Sequence, residues 1–483
     1  MAEASFYQIF TEVPPSYMER LFDFIHRKYL LPQKERFTGF LSETSGGVPL
    51  LSYVVLDAQE NPVVSVEGKG TSPIELKVSS VAESVSETIR DEAKQDFVIA
   101  VQLFEERARK ATLYFAWREG EEIVPEELKK QEKPFNRLFL ETQILLFVLF
   151  IVVGMAVFTL LTFFYPEAYS IAPLILVAVQ FVFVFYSAKF IARTADWHIT
   201  EDNPIIHLLE YHLPLTERDD FQQTHSREEL LAIKKEIYSE ILAKRGNIDC
   251  EAAGRVFARH GVTCQPENLT AKKVDVYALV KTIAQKFNFQ MPKIVVSNTM
   301  VPNAAAAGPS PSRGVVLITT GLLVQLEENE ILSVIGHEFG HLKGRDPLIL
   351  YGLTAGEYLF RFYVLFPLFP LIFSSFLFFL YFWGVMSVIF FIAKFFEARA
   401  DLVSAMVIGQ PEVLAGSLEK IGFQRLLYER TPSFRLQEWL GLDPHPPIYF
   451  RVARLERLHA TEKIKHPLIQ SIKDVWAGLR ASL

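Results

Sequence analysis

Two long blocks of almost uninterrupted apolar residues, roughly 144–188 and 348–394, stand out from a chain whose other segments mix polar and apolar positions. In the first block, 144–165 carries no charge and is long enough to cross a bilayer as a helix. After the connector 166–170, the segment 171–188 has the same character, and so short a link predicts an antiparallel hairpin. The second block is too long for one span and too short for three. Pro367 and Pro370 divide it into about 348–366 and 371–394, a second hairpin with its tip at the prolines. Lys129, Lys130, Lys133 and Arg137 precede the first pair, and Lys189 and Arg193 follow it. Arg345, Lys394 and Arg399 flank the second, whereas the first connector carries only Glu167. By the positive-inside rule, both tips lie outside and every soluble segment faces the cytoplasm.

The soluble stretches read differently. Residues 51–56, 63–67 and 111–117 are β-branched and aromatic runs, and 74–78 alternates apolar with charged positions as a half-buried strand does. Helical spacing with dense charge fills about 81–109. Downstream, Ser226 and Glu229 form a candidate capping box for a helix with Leu230, Ile233, Ile237 and Ile241 on one face. A helix over 274–288, strands at 293–297 and 315–319, and a long helix over about 328–344 follow. The pattern predicts an α-helical membrane protein with four transmembrane helices, a second soluble α+β domain and an N-terminal soluble α+β domain. Its segments are 1–135 (N-terminal domain, a partner-binding or regulatory unit), 140–190 (first hairpin), 195–346 (second soluble domain), 347–395 (second hairpin) and 396–483 (C-terminal helical part of that second domain).

Composition narrows the function. The net charge of −7 supplies no basic stripe, so no nucleic-acid partner is expected. The two cysteines, Cys250 and Cys264, are too few for a thiolate metal site; a bridge between them is open, but a reduced pair in a cytosolic segment is the expectation. The N-terminus shows no cleavable signal pattern.

The sharpest chemistry is His337-Glu338-Phe339-Gly340-His341 inside the apolar-periodic run 330–344. Histidines four apart on a helix reach one ion, and Glu338 between them is placed to take a proton from water. A catalytic zinc takes three protein ligands and keeps one position open. Glu397, after the second hairpin, is the candidate third ligand, and Asp401 one turn later is placed to orient a ligating imidazole. Gly336, Gly340 and Gly344 form a ridge costing about 1 kcal/mol each in helix propensity. Either another backbone approaches along it, or a single glycine matters and the others are incidental. Glu357 and Arg361, four apart within the third span, are an ion pair facing the bundle interior, structural or lining a substrate cavity.

With these motifs in place, about 275–460 resembles the HtpX family of membrane metalloproteases, related to the CAAX prenyl proteases. The likeness rests on Asn303-Ala-Ala-Ala-Ala-Gly308, the run 315–323, the HEFGH helix, a two-span insertion, EARAD with Ala405, His445-Pro446, and Arg451-Val-Ala-Arg454-Leu. It implies a zincin-type α+β catalytic domain, with 195–346 as the protease domain and 396–483 as its C-terminal helical part, and one Zn2+ per chain held by His337, His341 and Glu397, with Glu338 as general base and Asp401 behind a ligand. It also implies His445 at the oxyanion, and substrate binding by Asn303, Ala304, Ala305, Ala306 and Arg451, the alanines lying on an edge strand that receives an extended peptide. The implied partners are the lipid bilayer and membrane-protein or peptide substrates, in protein quality control at a prokaryotic cytoplasmic membrane. A CAAX-type processing protease and a non-catalytic zinc-binding receptor or scaffold are the competing readings. Nothing in the sequence indicates an oligomeric state.

Overall fold

The computed structural model describes residues 4–118 except 58, 82–86 and 110–111; then 154, 156–212, 232–233, 235–242, and 250–483 except 262–263, 374–375, 430–431 and 459–463. The alternating runs near the N-terminus form an antiparallel sheet of β1 (Ala4–Ile9), β2 (Phe37–Ser45), β3 (Val48–Leu56), β4 (Pro62–Lys69) and β5 (Ile74–Ser80) in the order β1-β5-β4-β3-β2. In β3, buried Leu51, Tyr53 and Val55 alternate with half-buried neighbours, the period-2 signature of a sheet packed on one face. Helices α1 (Met18–Phe24) and α2 (Glu87–Arg109) cover that face through Leu21, Phe22 and Phe97.

The strand read at 111–117 does not belong to this sheet. It is β6 (Thr112–Arg118), and it pairs antiparallel with β8 (Ile205–His212), which pairs in turn with β9 (Leu269–Asp275). The first hydrophobic hairpin is therefore an insertion between two strands of one sheet. Ile233, Ile237 and Ile241 are buried against that sheet on one helical stripe, while Ser226, Glu229 and Leu230 lie outside the described residues. Helix α4 (Cys250–Arg259) returns toward β9 and brings the Cα atoms of Cys250 and Cys264 within 5.5 Å. The two are joined in a disulfide, against the expectation of a reduced pair.

Of the four expected spans, α3 (Ala172–Thr194) covers the second, and residues 156–164 are helical within the first, the beginning of which lies outside the described residues. The third runs from Asp346 to Leu368, beginning with α7 (Asp346–Phe360) and passing through a wider turn at Arg361–Leu365; the fourth is the outer part of α8 (Leu377–Ile408). Among the described residues, three helices are thus long and apolar enough to cross a membrane. Arg361 Nε lies 2.9 Å from Glu357 Oε1, and Tyr381 on α8 donates to the same carboxylate oxygen. The intraspan charges therefore face the neighbouring span, which removes them from lipid.

The third sheet has four strands in the order β11-β12-β10-β7: β11 (Ala304–Ala307), β12 (Val315–Thr319), β10 (Lys293–Ser297) and β7 (Trp197–Ile199). Helices α5 (Val276–Phe287) and α6 (Glu328–Gly344) pack beside it through Val280, Ile283, Phe339 and Ile335. Behind them lie α9 (Pro411–Ile421), α10 (Phe423–Glu429), α11 (Pro432–Leu440), α12 (Ile448–Glu456) and α13 (Pro467–Ala481). The N-terminal unit shares its core with this group: Leu414, Leu426, Ile448, Val452 and Leu455 join Phe97 and Val101 in one cluster. Lys94 of α2 sits between Glu419 and Glu456, at 3.1 and 2.5 Å, and Arg435 reaches Glu92 at 2.9 Å.

A second polar cluster lies at the foot of β8. Burial and the nearby Glu12 push the Glu210 carboxyl up to about 8, although Lys272 and Arg109 oppose the shift. In the unfolded chain the same group loses its proton near 4.5, so between these values the folded state binds the extra proton. Stability should therefore fall as pH rises from about 4.5 to about 8, by on the order of 1.4 kcal/mol per pH unit from this site. Glu210→Gln should flatten that slope in denaturant titrations of the detergent-solubilised protein across the window.

Candidate active site

The metal helix α6 begins at a reciprocal cap in which the Glu327 amide donates to Glu330 Oε2 at 2.9 Å. It ends where Arg345 takes a left-handed conformation, φ 54°, so the third span starts after a one-residue break rather than as a direct continuation. Between those ends, the four-residue spacing puts His337 and His341 on one side, facing α8. Helix α8 is unbroken for 32 residues, roughly 48 Å, and carries Glu397 and Asp401 a turn apart just beyond its apolar part.

The glycine ridge makes this approach close. A Cβ on Gly340 would lie 2.9 Å from the Ala400 Cα; one on Gly336 would meet the Ser404 hydroxyl at 2.7 Å, and one on Gly344 would overlap the Arg399 guanidinium. All three glycines are used, one against backbone and two against side chains.

The three donors converge. His337 Nε2 and His341 Nε2 are 3.1 Å apart; Glu397 Oε2 is 3.4 Å from the first, and Glu397 Oε1 is 3.3 Å from the second. Tetrahedral coordination with zinc–ligand bonds of about 2.0–2.1 Å requires donor atoms about 3.3–3.4 Å apart. Glu397 Oε2 is buried with no hydrogen-bond donor among the described residues, as suits an oxygen directed at a cation. The residues present fit a zinc ion.

Each imidazole is oriented from behind. His337 Nδ1 lies 2.8 Å from Asp401 Oδ1, and Arg451 holds that carboxylate in a two-pronged grip at 2.8 and 2.6 Å. His341 Nδ1 lies 2.8 Å from Asp346 Oδ2, which Arg399 also contacts at 2.6 Å while donating to the Gly340 carbonyl at 3.0 Å. These contacts leave both Nε2 atoms turned toward Glu397. Burial alone would lower His337, but Asp401 and Glu397 outweigh it and push the imidazole up to about 10; His341 is raised likewise by Glu397 and Asp346.

The remaining expected residues gather at the same place. Glu338 Oε2 accepts a 2.8 Å bond from the Ala306 amide of β11. Asn303 is tied to Thr319 on β12, so strand parity turns the main-chain groups of Ala304 and Ala306 to the open edge, while Ala305 faces β12. His445 Nε2 is 3.7 Å from Glu397 Oε2, and its Nδ1 is 2.9 Å from Asp443 Oδ1. Lys394 donates to the carbonyls of Asp443 and His445, fixing that loop to α8. Arg451, expected among the substrate-binding residues, is instead buried and committed to Asp401, so it positions a ligand rather than meeting a substrate.

Four participants were not singled out in the sequence. Asp346 and Arg399 are separated from the groups they serve by a helix break and by a membrane hairpin. Lys394 and Arg399 were read only as flanking charges. Asp443 had a visible signal, an Asp two residues before His445 in a proline-flanked turn.

Comparison with known proteins matches the segment that carries these residues. Residues 270–459 match the model of peptidase family M48. The protease HtpX homolog of Thermodesulfovibrio yellowstonii is 33% identical over 215 residues, covering 39% of this chain and 76% of that protein. The protease HtpX homolog of Desulforapulum autotrophicum is 31% identical over 208 residues, 37% of this chain and 67% of that protein. Protease HtpX homolog 2 of Methanosarcina acetivorans is 30% identical over 198 residues, 35% and 66% of the two chains. The matched family segment leaves the five-stranded N-terminal unit outside it.

Two outcomes follow. Gly340→Ala should destabilise the protein by about 1–3 kcal/mol and weaken zinc binding, because the neighbouring atoms are backbone and cannot rotate away. Gly416→Ala, inside α9 with nothing within 4 Å of the added carbon, should leave zinc binding unchanged and raise stability by up to about 1 kcal/mol in denaturation and zinc titrations. Because the metal-free His337 imidazole, pushed up to about 10, holds its proton at neutral pH, zinc uptake should release protons and its apparent affinity should rise with pH. Calorimetric titration in buffers of different ionisation enthalpy measures that release.

Proposed function

Because the chain belongs to peptidase family M48, as an HtpX-like metalloprotease, we propose that it is a zinc-dependent endopeptidase that cleaves membrane or misfolded proteins at the cytoplasmic face of its membrane. The observation that carries this reading is the convergence of His337, His341 and Glu397, whose ligand atoms lie within 4.8 Å of one another, with Glu338 and an open strand edge beside them.

A zinc ion held there supplies Lewis acidity to the scissile carbonyl and to the attacking water. Glu338 takes the proton from that water as its oxygen bonds to the carbonyl carbon. The same carboxyl then delivers the proton to the departing amine as the C–N bond breaks. His445, held by Asp443 and half exposed beside Glu397, donates to the carbonyl oxygen as charge builds there. The outward groups of Ala304 and Ala306 receive an extended peptide as an added strand, and the small side chains leave room for its residues. In this arrangement the Ala306 amide passes from Glu338 to substrate. An extended, locally unfolded segment satisfies the strand edge best, which favours loops of membrane proteins and misfolded chains as substrates.

The side of the membrane rests on the basic residues flanking both hairpins. The Cys250–Cys264 bridge favours a second reading, with the soluble body outside, because disulfides persist in oxidising compartments and are rare in the cytosol. Protease protection of the soluble segments in sealed vesicles of known orientation separates the two.

Glu338→Gln should retain stoichiometric zinc while losing about 10²–10⁴-fold in hydrolysis of an unfolded substrate such as casein, and chelation should abolish the activity of the unaltered protein. Full activity in that variant would overturn the assignment.

A further inference from the structure

Helix α13 (Pro467–Ala481) presents two unlike shoulders around a buried seam. At 100° per residue, Ser471, Val475 and Leu479 fall within one narrow arc, and all three are buried. Val475 and Leu479 share a core with Ala398 of α8 and Trp439 of α11. On one side of the seam come Ile472, Trp476 and Ile469, followed by the cations Arg480 and Lys473. On the other come Asp474 and Gln470, which bond to each other while Asp474 also accepts from Arg454. Ile469 is 53% exposed and Trp476 46%. A helix whose inner face is already satisfied gains nothing from an apolar shoulder in water.

The direction of that shoulder is fixed by a contact. The Trp476 ring meets Phe391 of α8 edge-on, with centroids 5.0 Å apart. Phe391 lies one turn before Lys394, in the last apolar stretch of the fourth span. Trp476 is therefore level with the point where α8 leaves the hydrocarbon, the depth at which tryptophan concentrates in membrane proteins. Lys473 and Arg480, next around the helix, lie where anionic headgroups would meet them.

We propose that α13 is an interfacial helix, with Ile469, Ile472 and Trp476 immersed in the boundary layer of the bilayer and Lys473 and Arg480 paired with anionic lipid. The face continues the lipid-facing belt of α8, so the inference rests on reading α8 as a membrane span. Its consequence is that the C-terminal helices, Trp439 included, are pinned to the bilayer surface as well as to the catalytic half.

The test uses site-directed spin labels on the full chain in vesicles of phosphatidylcholine with and without phosphatidylglycerol. Both native cysteines are joined to each other, so an introduced thiol is the one available for labelling. Labels at Ile469→Cys and Trp476→Cys should show a several-fold higher ratio of oxygen to aqueous nickel-chelate relaxation than a label at Gln470→Cys, on the opposite shoulder. Adding phosphatidylglycerol should raise that ratio further, and Lys473→Gln with Arg480→Gln should remove the increase. Equal ratios at the three positions would overturn the proposal. Shielding from both reagents with spin–spin broadening would also overturn it, since a second copy of the chain would then cover the face. Val388→Cys, on the exposed side of the fourth span, separates the two readings. If it too is relaxed by nickel, the span assignment fails; if it reports lipid while 469 and 476 report water, only the interfacial helix fails.

Discussion

The close contact of α6 with α8 sets everything else at the site. Ligand atoms of His337, His341 and Glu397 stand within 4.8 Å of one another although they come from helices separated in sequence by an apolar hairpin. Ordinary helix pairs keep their axes 8–10 Å apart, with side chains between them. Here glycine removes the intervening atoms, and the Gly340 position meets Ala400 directly. The space gained brings Glu397 to the histidines and lets Arg399 reach across to the Gly340 carbonyl and Asp346. Two buried carboxylates, each paired with an arginine, then hold the imidazoles from behind. A buried charge without such a partner costs several kcal/mol, so the arginines are as necessary to the arrangement as the acids.

The hairpins are integrated into this arrangement. The first interrupts the sheet of β6, β8 and β9, and the second separates the two metal-bearing helices. Helix α8 is both long and apolar enough to cross a membrane and the carrier of Glu397, and α7 begins at Asp346, which contacts His341. A displacement of the second hairpin would therefore move a candidate ligand and the orienting group of another together.

Much of this was legible in the residues. The strands near 51–67 showed in their β-branched and aromatic composition, the one at 74–78 in its period of two, the helix over 328–344 in its apolar stripe, and the paired histidines in their spacing. What escaped notice depended on long-range closure. Residues 111–117 have a strand's composition, but composition does not say which sheet completes them, and the partner β8 lies on the far side of a hairpin. Asp346 is five residues past His341 and reaches it only because Arg345 reverses the backbone. Arg451 carries the same residue type whether it faces a substrate or a buried acid, and only the packing of α12 on α8 decides. The cysteines were fourteen positions apart, compatible with either state until α4 was seen to fold back.

Helix α12 carries Arg451 on the side toward Asp401, while Val452 and Leu455 sit in a core completed by the N-terminal sheet and α2. Lys94 closes the same boundary between Glu419 and Glu456. A fragment cut to the family-matched segment would keep every candidate ligand yet lay bare that apolar floor and remove Lys94 from Glu419 and Glu456. Dissection at the limits of sequence similarity would thus yield a piece whose behaviour reports on an exposed wound rather than on the chemistry it contains.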